Sequence, residues 1–221
     1  MKIILLGAPG SGKGTQAQQL KTKFGYHVIT ASNALRSYMQ KDCALGQEIR
    51  ANMDAGQLVS DAVVWQVIDS HIKKEANAYP HLLLDGFPRS LNQLEMLNRG
   101  RETYDYMFYL DVDEQAVIER VCGRRVHIES GRVYHTKFAP PKKADIDDIT
   151  GEALIHRADD AEAVVKKRIA TYLEKTQPIV EQVRQAIATG SGQIKKIITI
   201  NANAKIDAVT EAIIAQLGHA E

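Results

Sequence analysis

The feature that most constrains this chain is Gly7-Ala8-Pro9-Gly10-Ser11-Gly12-Lys13-Gly14-Thr15, placed directly after the apolar run Lys2 to Leu6. Glycines let the backbone wrap tightly, so that successive N–H groups turn inward where phosphate oxygens can bind. A helical pattern, Gly12 to Phe24, follows and adds the positive end of its dipole at the same point. Such a loop works only when a strand delivers the chain and a helix takes it away. The opening residues therefore commit the chain to an α/β architecture. Within the loop, Gly10, Ser11, Gly12, Lys13, Gly14 and Thr15 are the candidate cradle, with Lys13 reaching terminal phosphates and Thr15 placed near a magnesium ion. The strict form of the pattern puts Ser or Thr next to the lysine, whereas here Gly14 intervenes.

The rest of the chain continues the alternation. Candidate strands are Lys2 to Leu6, His27 to Ile29, His81 to Leu84, Tyr106 to Val112 and Ile194 to Ile200, mostly unbroken apolar runs of the kind buried on both faces. Candidate helices run Gly12 to Phe24, Asp61 to Asn77, Ser90 to Arg99, Asp113 to Val121, Ala161 to Ala188 and Ile206 to Leu217. The expected fold is thus a parallel five-stranded sheet flanked by helices. Two segments break the rhythm. Residues 30–60 suggest two short helices, Ala34 to Gln40 and Gly46 to Ala55, while 123–160 carry Gly131, Pro140, Pro141 and Gly151 and suggest a small β-rich flap. The expected organisation is a core of 1–29, 61–122 and 161–221 with insertions at 30–60 and 123–160.

Composition excludes several classes. With 221 residues, 44% hydrophobic and 25% charged, the chain is neither disordered nor collagenous, and no apolar run is long enough to span a membrane. A net charge of +1 supplies no bulk field for nucleic acid. The two cysteines, Cys43 and Cys122, suggest no disulfide scaffold. The apolar stretch at the N-terminus is too short for a signal-peptide core. A cytoplasmic protein that contacts neither nucleic acid nor membrane is expected; a monomer is expected as well, on grounds other than composition.

The second motif is Leu82-Leu83-Leu84-Asp85, an apolar strand ending in a carboxylate at the sheet edge where open α/β sheets bind ligands. Asp85 there can hold Mg²⁺, directly or through water. Gly86-Phe87-Pro88-Arg89 follows, with Gln93 four residues on. Together with Leu35-Arg36, Met53-Asp54-Ala55-Gly56-Gln57-Leu58-Val59, Arg120-Val121-Cys122-Gly123-Arg124-Arg125, Gly131-Arg132-Val133-Tyr134-His135, Arg157-Ala158-Asp159-Asp160 and Arg168, these motifs resemble the adenylate kinase family, nucleoside monophosphate kinases of P-loop NTPase type. The displaced Thr15 also resembles that family. The resemblance covers nearly the whole chain and implies that 30–60 is a helical NMP-binding insertion and 123–160 a lid.

What the resemblance implies is chemically coherent. A phosphate already carries an anionic nucleophilic oxygen, so catalysis consists of placing two polyanions in line and neutralising charge, which suits arginine. By resemblance, Lys13 and Arg124 hold the donor phosphates, Arg36 and Arg89 the AMP phosphate, and Arg157 and Arg168 lie between them. Asp159 positions the flap arginines. Arg120 stands beside the donor adenine with Val133, Tyr134 and Ala204. Gln93 reads the acceptor adenine, and Ala31, Gln57, Leu58, Val59, Gly86, Phe87 and Pro88 complete the AMP site. Mg²⁺ accompanies ATP, with AMP and ADP as the other ligands. Residues 123–160 hold seven basic and seven acidic side chains, so the assignment rests on placement and not on a basic patch.

Many family lids carry four zinc-binding cysteines. The matching positions here are His127, Ser130, Asp147 and Thr150, of which Ser and Thr are poor zinc ligands, so a hydrogen-bonded polar cluster without metal is expected. The family's usual Ser-Thr-Gly-Asp-Met is replaced by Thr30-Ala31-Ser32-Asn33-Ala34. The hydroxyl missing at Ala31 is worth ~1 kcal/mol, so weaker AMP binding with retained activity is expected. Alternatives are another monophosphate kinase, acting on UMP/CMP or with GTP as donor, and a degenerate nucleotide binder. A GTPase-like switch lacks its Asn-Lys-x-Asp guanine motif here.

Overall fold

The computed structural model describes residues 1–54 and 59–218, with the side chains of residues 53, 54 and 159 left outside the description. In chain order the first half contains β1 (Lys2–Gly7), α1 (Lys13–Phe24), β2 (His27–Thr30), α2 (Ala31–Met39), α3 (Ala44–Asp54), α4 (Asp61–Glu75), β3 (Leu82–Asp85), α5 (Leu91–Arg99) and β4 (Tyr106–Asp111). The second half contains α6 (Glu114–Cys122), β5 (Arg124–Val126), β6 (Val133–His135), α7 (Glu162–Lys175), α8 (Pro178–Ala188), β7 (Ile197–Asn201) and α9 (Ile206–Leu217), with a 3-10 turn at Ala158–Asp160 before α7.

Five strands form one parallel sheet in the order β2-β3-β1-β4-β7. Successive side chains of β1 point to opposite faces. Ile4 and Leu6 join one core with Leu82, Leu84 and Met107 beneath α2, α4, α5 and α8. Ile3 and Leu5 join the other with Leu83, Phe108 and Leu110 beneath α1 and α9. Burial on both faces explains why the strands are continuous apolar runs. β1 lies between β3 and β4, so its carboxyl end falls at the crevice where the topology places ligands.

One expected helix is two. The run Ala161 to Ala188 breaks after Lys175, because Pro178 has no N–H for the preceding turn and its ring crowds the carbonyl four residues back. The amides of Thr176 and Gln177 both turn to the Tyr172 carbonyl, at 2.8 and 2.9 Å, and Pro178 opens α8. The break sends the Thr176 hydroxyl to the Arg89 carbonyl at 2.7 Å, joining this corner to the ligand crevice. In the 30–60 segment, α2 starts at Ala31, three residues ahead of expectation, while the expected end of the next helix at Ala55 lies outside the described residues. Within 123–160, β5 and β6 pair antiparallel, and single bridges join Val126 to Ile155 and Ile146 to Ala153. That segment is β-rich, as its alternating pattern suggests.

Candidate functional site

The floor of the crevice is the loop between β1 and α1. Gly10 sits at φ +77°, and a Cβ there would collide with Val121 of α6, so only glycine fits. Lys13 lies across the loop, its Nζ donating to the carbonyls of Gly7 at 2.8 Å and Ala8 at 2.7 Å. Burial pushes its pKa down to about 8; Asp85 opposes that shift, while Arg89 and Arg168 add to it. Asp85 ends β3 in parallel register with Leu5 of β1. Burial raises its pKa even though Lys13 and Arg89 pull the other way. Arg89 donates from Nε to the Gly86 carbonyl at 2.7 Å, and a Cβ on Gly86 would stand 2.8 Å from its Nη2. These reciprocal effects place Lys13, Asp85, Arg89 and Arg168 in one electrostatic neighbourhood. Asp85 and the Thr15 hydroxyl offer the hard oxygen donors that magnesium takes.

The roof is held differently. Asp160, fully buried, accepts a bidentate pair from Arg124, with Nε at 2.8 Å and Nη2 closer still, and Arg168 Nη1 stands 3.8 Å from the same carboxylate. Two guanidinium groups expected on phosphate thus share one aspartate. Asp159, the residue expected in that role, has a side chain outside the described residues. Arg157 begins the same turn and is exposed.

The polar cluster of residues 123–160 exceeds its four expected members. His127 Nδ1 lies 2.7 Å from Ser130 Oγ, and its Nε2 lies 2.5 Å from Glu152. Asp147 accepts two bonds from Arg132 at 2.8 and 2.6 Å, one from the Tyr134 hydroxyl at 3.0 Å, and one each from the amide and hydroxyl of Thr150. Arg132 holds the Asp147 carboxyl far below the usual carboxylate range. With a permanent cation on Asp147 and both ring nitrogens of His127 engaged, this donor set does not fit zinc. Tyr134, expected beside ATP, has its hydroxyl in this cluster, where it also accepts from the Asp148 amide at 3.0 Å. Val133 on β6 is exposed.

The remaining expected residues divide between the two sides. Arg120 donates to the carbonyls of Ala202 at 2.7 Å and Asn203 at 3.4 Å, holding the loop that carries exposed Ala204. Among the residues expected on the acceptor side, Arg36 Nη1 donates to Asn33 Oδ1 at 3.0 Å on the exposed face of α2, while Ala31 is buried in the core. Gly86, Phe87 and Pro88 are buried behind Arg89, with a cis bond at Phe87–Pro88, and Trp65 stacks on Phe87. Gln93 is buried, accepting from the Arg89 amide at 2.7 Å and donating to Asp61 at 2.6 Å. Val59 packs against the core, and Gln57 and Leu58 lie outside the described residues. Four polar residues here were absent from the sequence expectations as site residues: Asp160, Arg132, Glu152 and Asp61. Each pairs with a residue 15 or more positions away; Asp160 and Arg132 stood inside local motifs that did not show their partners, while Glu152 and Asp61 stood in none.

Cations collected around a glycine loop, with the acceptor's own oxygen as the only nucleophile required, define a P-loop phosphotransferase. Comparison with known proteins is more specific. Residues 5–188 match the family model for adenylate kinase, and the chain belongs to the adenylate kinase family. Among its relatives are the adenylate kinases of Francisella tularensis subsp. novicida strain U112 and subsp. tularensis strain SCHU S4. Each is 42% identical over 217 residues, covering 98% of this chain and 99% of the relative.

Proposed function

We propose that the protein transfers the terminal phosphoryl group of ATP directly to AMP, reversibly, giving two ADP. An oxygen of the AMP phosphate attacks the γ-phosphorus as the bond to the bridging β–γ oxygen breaks, and the leaving ADP keeps that electron pair. No general base is needed, because the attacking oxygen is already anionic. The single observation that carries this reading is the convergence of Lys13, Asp85, Arg89 and Arg168 at the carboxyl end of β1 and β3. Lys13, Arg124 and the loop amides take the donor phosphates, Arg36 and Arg89 the acceptor phosphate, and Arg157 and Arg168 the group in transfer. Asp85, with Thr15, would hold Mg²⁺, which supplies charge neutralisation on the polyphosphate when bound.

We assign 30–60 to the acceptor side and 123–160 to a lid over the donor. Closure excludes water and completes the arginine set only when both substrates are present. We further propose that the protein works as a cytoplasmic monomer. Among the described residues, no helix is long and apolar enough to cross a membrane. The test is a coupled assay of ADP formed from ATP with AMP, CMP, UMP or GMP as acceptor. AMP should be strongly preferred, and turnover confined to another acceptor contradicts the reading.

A further inference from the structure

From the hydrogen bonds around Gln93, we infer that Asp61 is a positioning residue that fixes which way the Gln93 amide faces and so sets the purine that the acceptor site takes. The inference rests on the proposed placement of Gln93 at the acceptor base. The Gln93 side chain is 6% exposed and held at both ends. Its Oε1 accepts from the Arg89 amide at 2.7 Å, and its Nε2 donates to Asp61 Oδ1 at 2.6 Å. A backbone N–H can only donate, and a carboxylate can only accept. The two partners therefore dictate the same orientation independently, and turning the amide over would oppose donor to donor and acceptor to acceptor in a buried place.

Asp61 is itself held. Its second oxygen accepts from Ser90 Oγ at 2.8 Å and Asn92 Nδ2 at 3.2 Å, while Ser90 Oγ accepts from the Gln93 amide at 3.1 Å. The first residue of α4 is thereby joined to the first turn of α5. With one lone pair and one N–H already used, Gln93 offers a base one acceptor and one donor in fixed order. Adenine presents an amino donor beside ring-nitrogen acceptors, whereas guanine places an O6 acceptor where adenine has that amino group. A freely turning amide would serve both bases. A fixed one serves adenine.

Acceptor kinetics with AMP and GMP test this in a double-mutant cycle of Asp61→Ala and Gln93→Ala, with Asp61→Lys as a second variant should the alanine protein fail to fold. Asp61→Ala, or Asp61→Lys in its place, is expected to narrow the AMP-over-GMP ratio of kcat/KM by about tenfold while the KM for ATP stays unchanged, whereas Asp61→Asn, whose amide oxygen can still accept from Gln93 Nε2, should keep most of the ratio. In the Gln93→Ala background the same substitution should leave the ratio nearly where Gln93→Ala put it. A residue that only braced α4 against α5 would raise KM for both acceptors together and leave the ratio alone, which overturns the inference. Gln93→Ala that keeps full discrimination overturns the placement of Gln93 at the base, and the role of Asp61 with it. Gln93→Ala that loses discrimination beside Asp61→Ala that keeps it overturns only the role of Asp61.

Discussion

The floor and the roof of the crevice hold their cations by opposite means. On the floor, Lys13 and Arg89 rest on backbone carbonyls of their own loops, at 2.7 to 2.8 Å. In the roof, Arg124 and Arg168 gather on one buried carboxylate, Asp160. Carbonyl oxygens carry no net charge to set against the cations they hold, and on the floor burial depresses the Lys13 pKa to about 8, with Asp85 opposing the shift and Arg89 and Arg168 adding to it. A carboxylate neutralises the cations it positions. On the proposed reading the floor recruits the anionic substrate, whereas the roof arginines exchange Asp160 for phosphate or share it.

The largest expected effect is on the floor. Lys13→Met should lower turnover by on the order of a thousandfold with little change in thermal stability, since it deletes a charge aimed at the transferring group. Steady-state kinetics and a melting curve check both halves. Asp160→Ala tests the roof. It leaves Arg124 and Arg168 without their shared anchor and should cost roughly a hundredfold in kcat through misplacement, with a much smaller change in the KM for AMP. Equal losses in kcat from Asp160→Ala and in AMP affinity would erase the distinction between the two regions. Asp147→Ala, away from both, removes the acceptor of Arg132, Tyr134 and Thr150. Hydrogen exchange should then quicken in residues 124–155 by about tenfold or more, while β1, β3 and β4 keep their protection.

The pH dependence follows from Lys13. In the empty protein its folded-state value, about 8, lies below the ordinary 10.5, so the ammonium loses its proton as pH rises through 8. A bound polyphosphate favours the charged form and raises the value again. At Lys13, ATP binding should therefore take up close to one proton near pH 9 and almost none at pH 6.5. Calorimetry in buffers of different ionisation enthalpy reads this directly, and Lys13→Met should abolish it. The smallest effect is expected at Ala31→Thr. An added hydroxyl should lower the KM for AMP by up to about fivefold, and by less where the core around Ala31 resists it.

What could be read from the sequence follows the same division. The floor is local: Gly7 to Thr15 and Asp85 to Arg89 each carry their partners within a few residues, so loop, lysine and strand-end carboxylate were all legible. The apolar runs of the inner strands β1, β3 and β4 were equally plain because both of their faces are largely buried. The roof is not local. Arg124 and Asp160 are 36 residues apart, Gln93 and Asp61 32, and His127 and Glu152 25. Nothing in the composition near either partner marks such pairs, which exist only once the chain has folded. The break before Pro178 differs again, for its signal was local. A proline inside a helical run ends the helix whatever the apolar spacing around it continues to say.

The central claim is that one crevice gathers these cations around two nucleotides at once. Titration with a diadenosine polyphosphate long enough to span both sites tests it most directly. One molecule should bind per chain, far more tightly than ATP or AMP alone, because the second half binds intramolecularly. Lys13→Met should weaken that binding severely. Binding no tighter than that of ATP, or at two molecules per chain, would contradict the account.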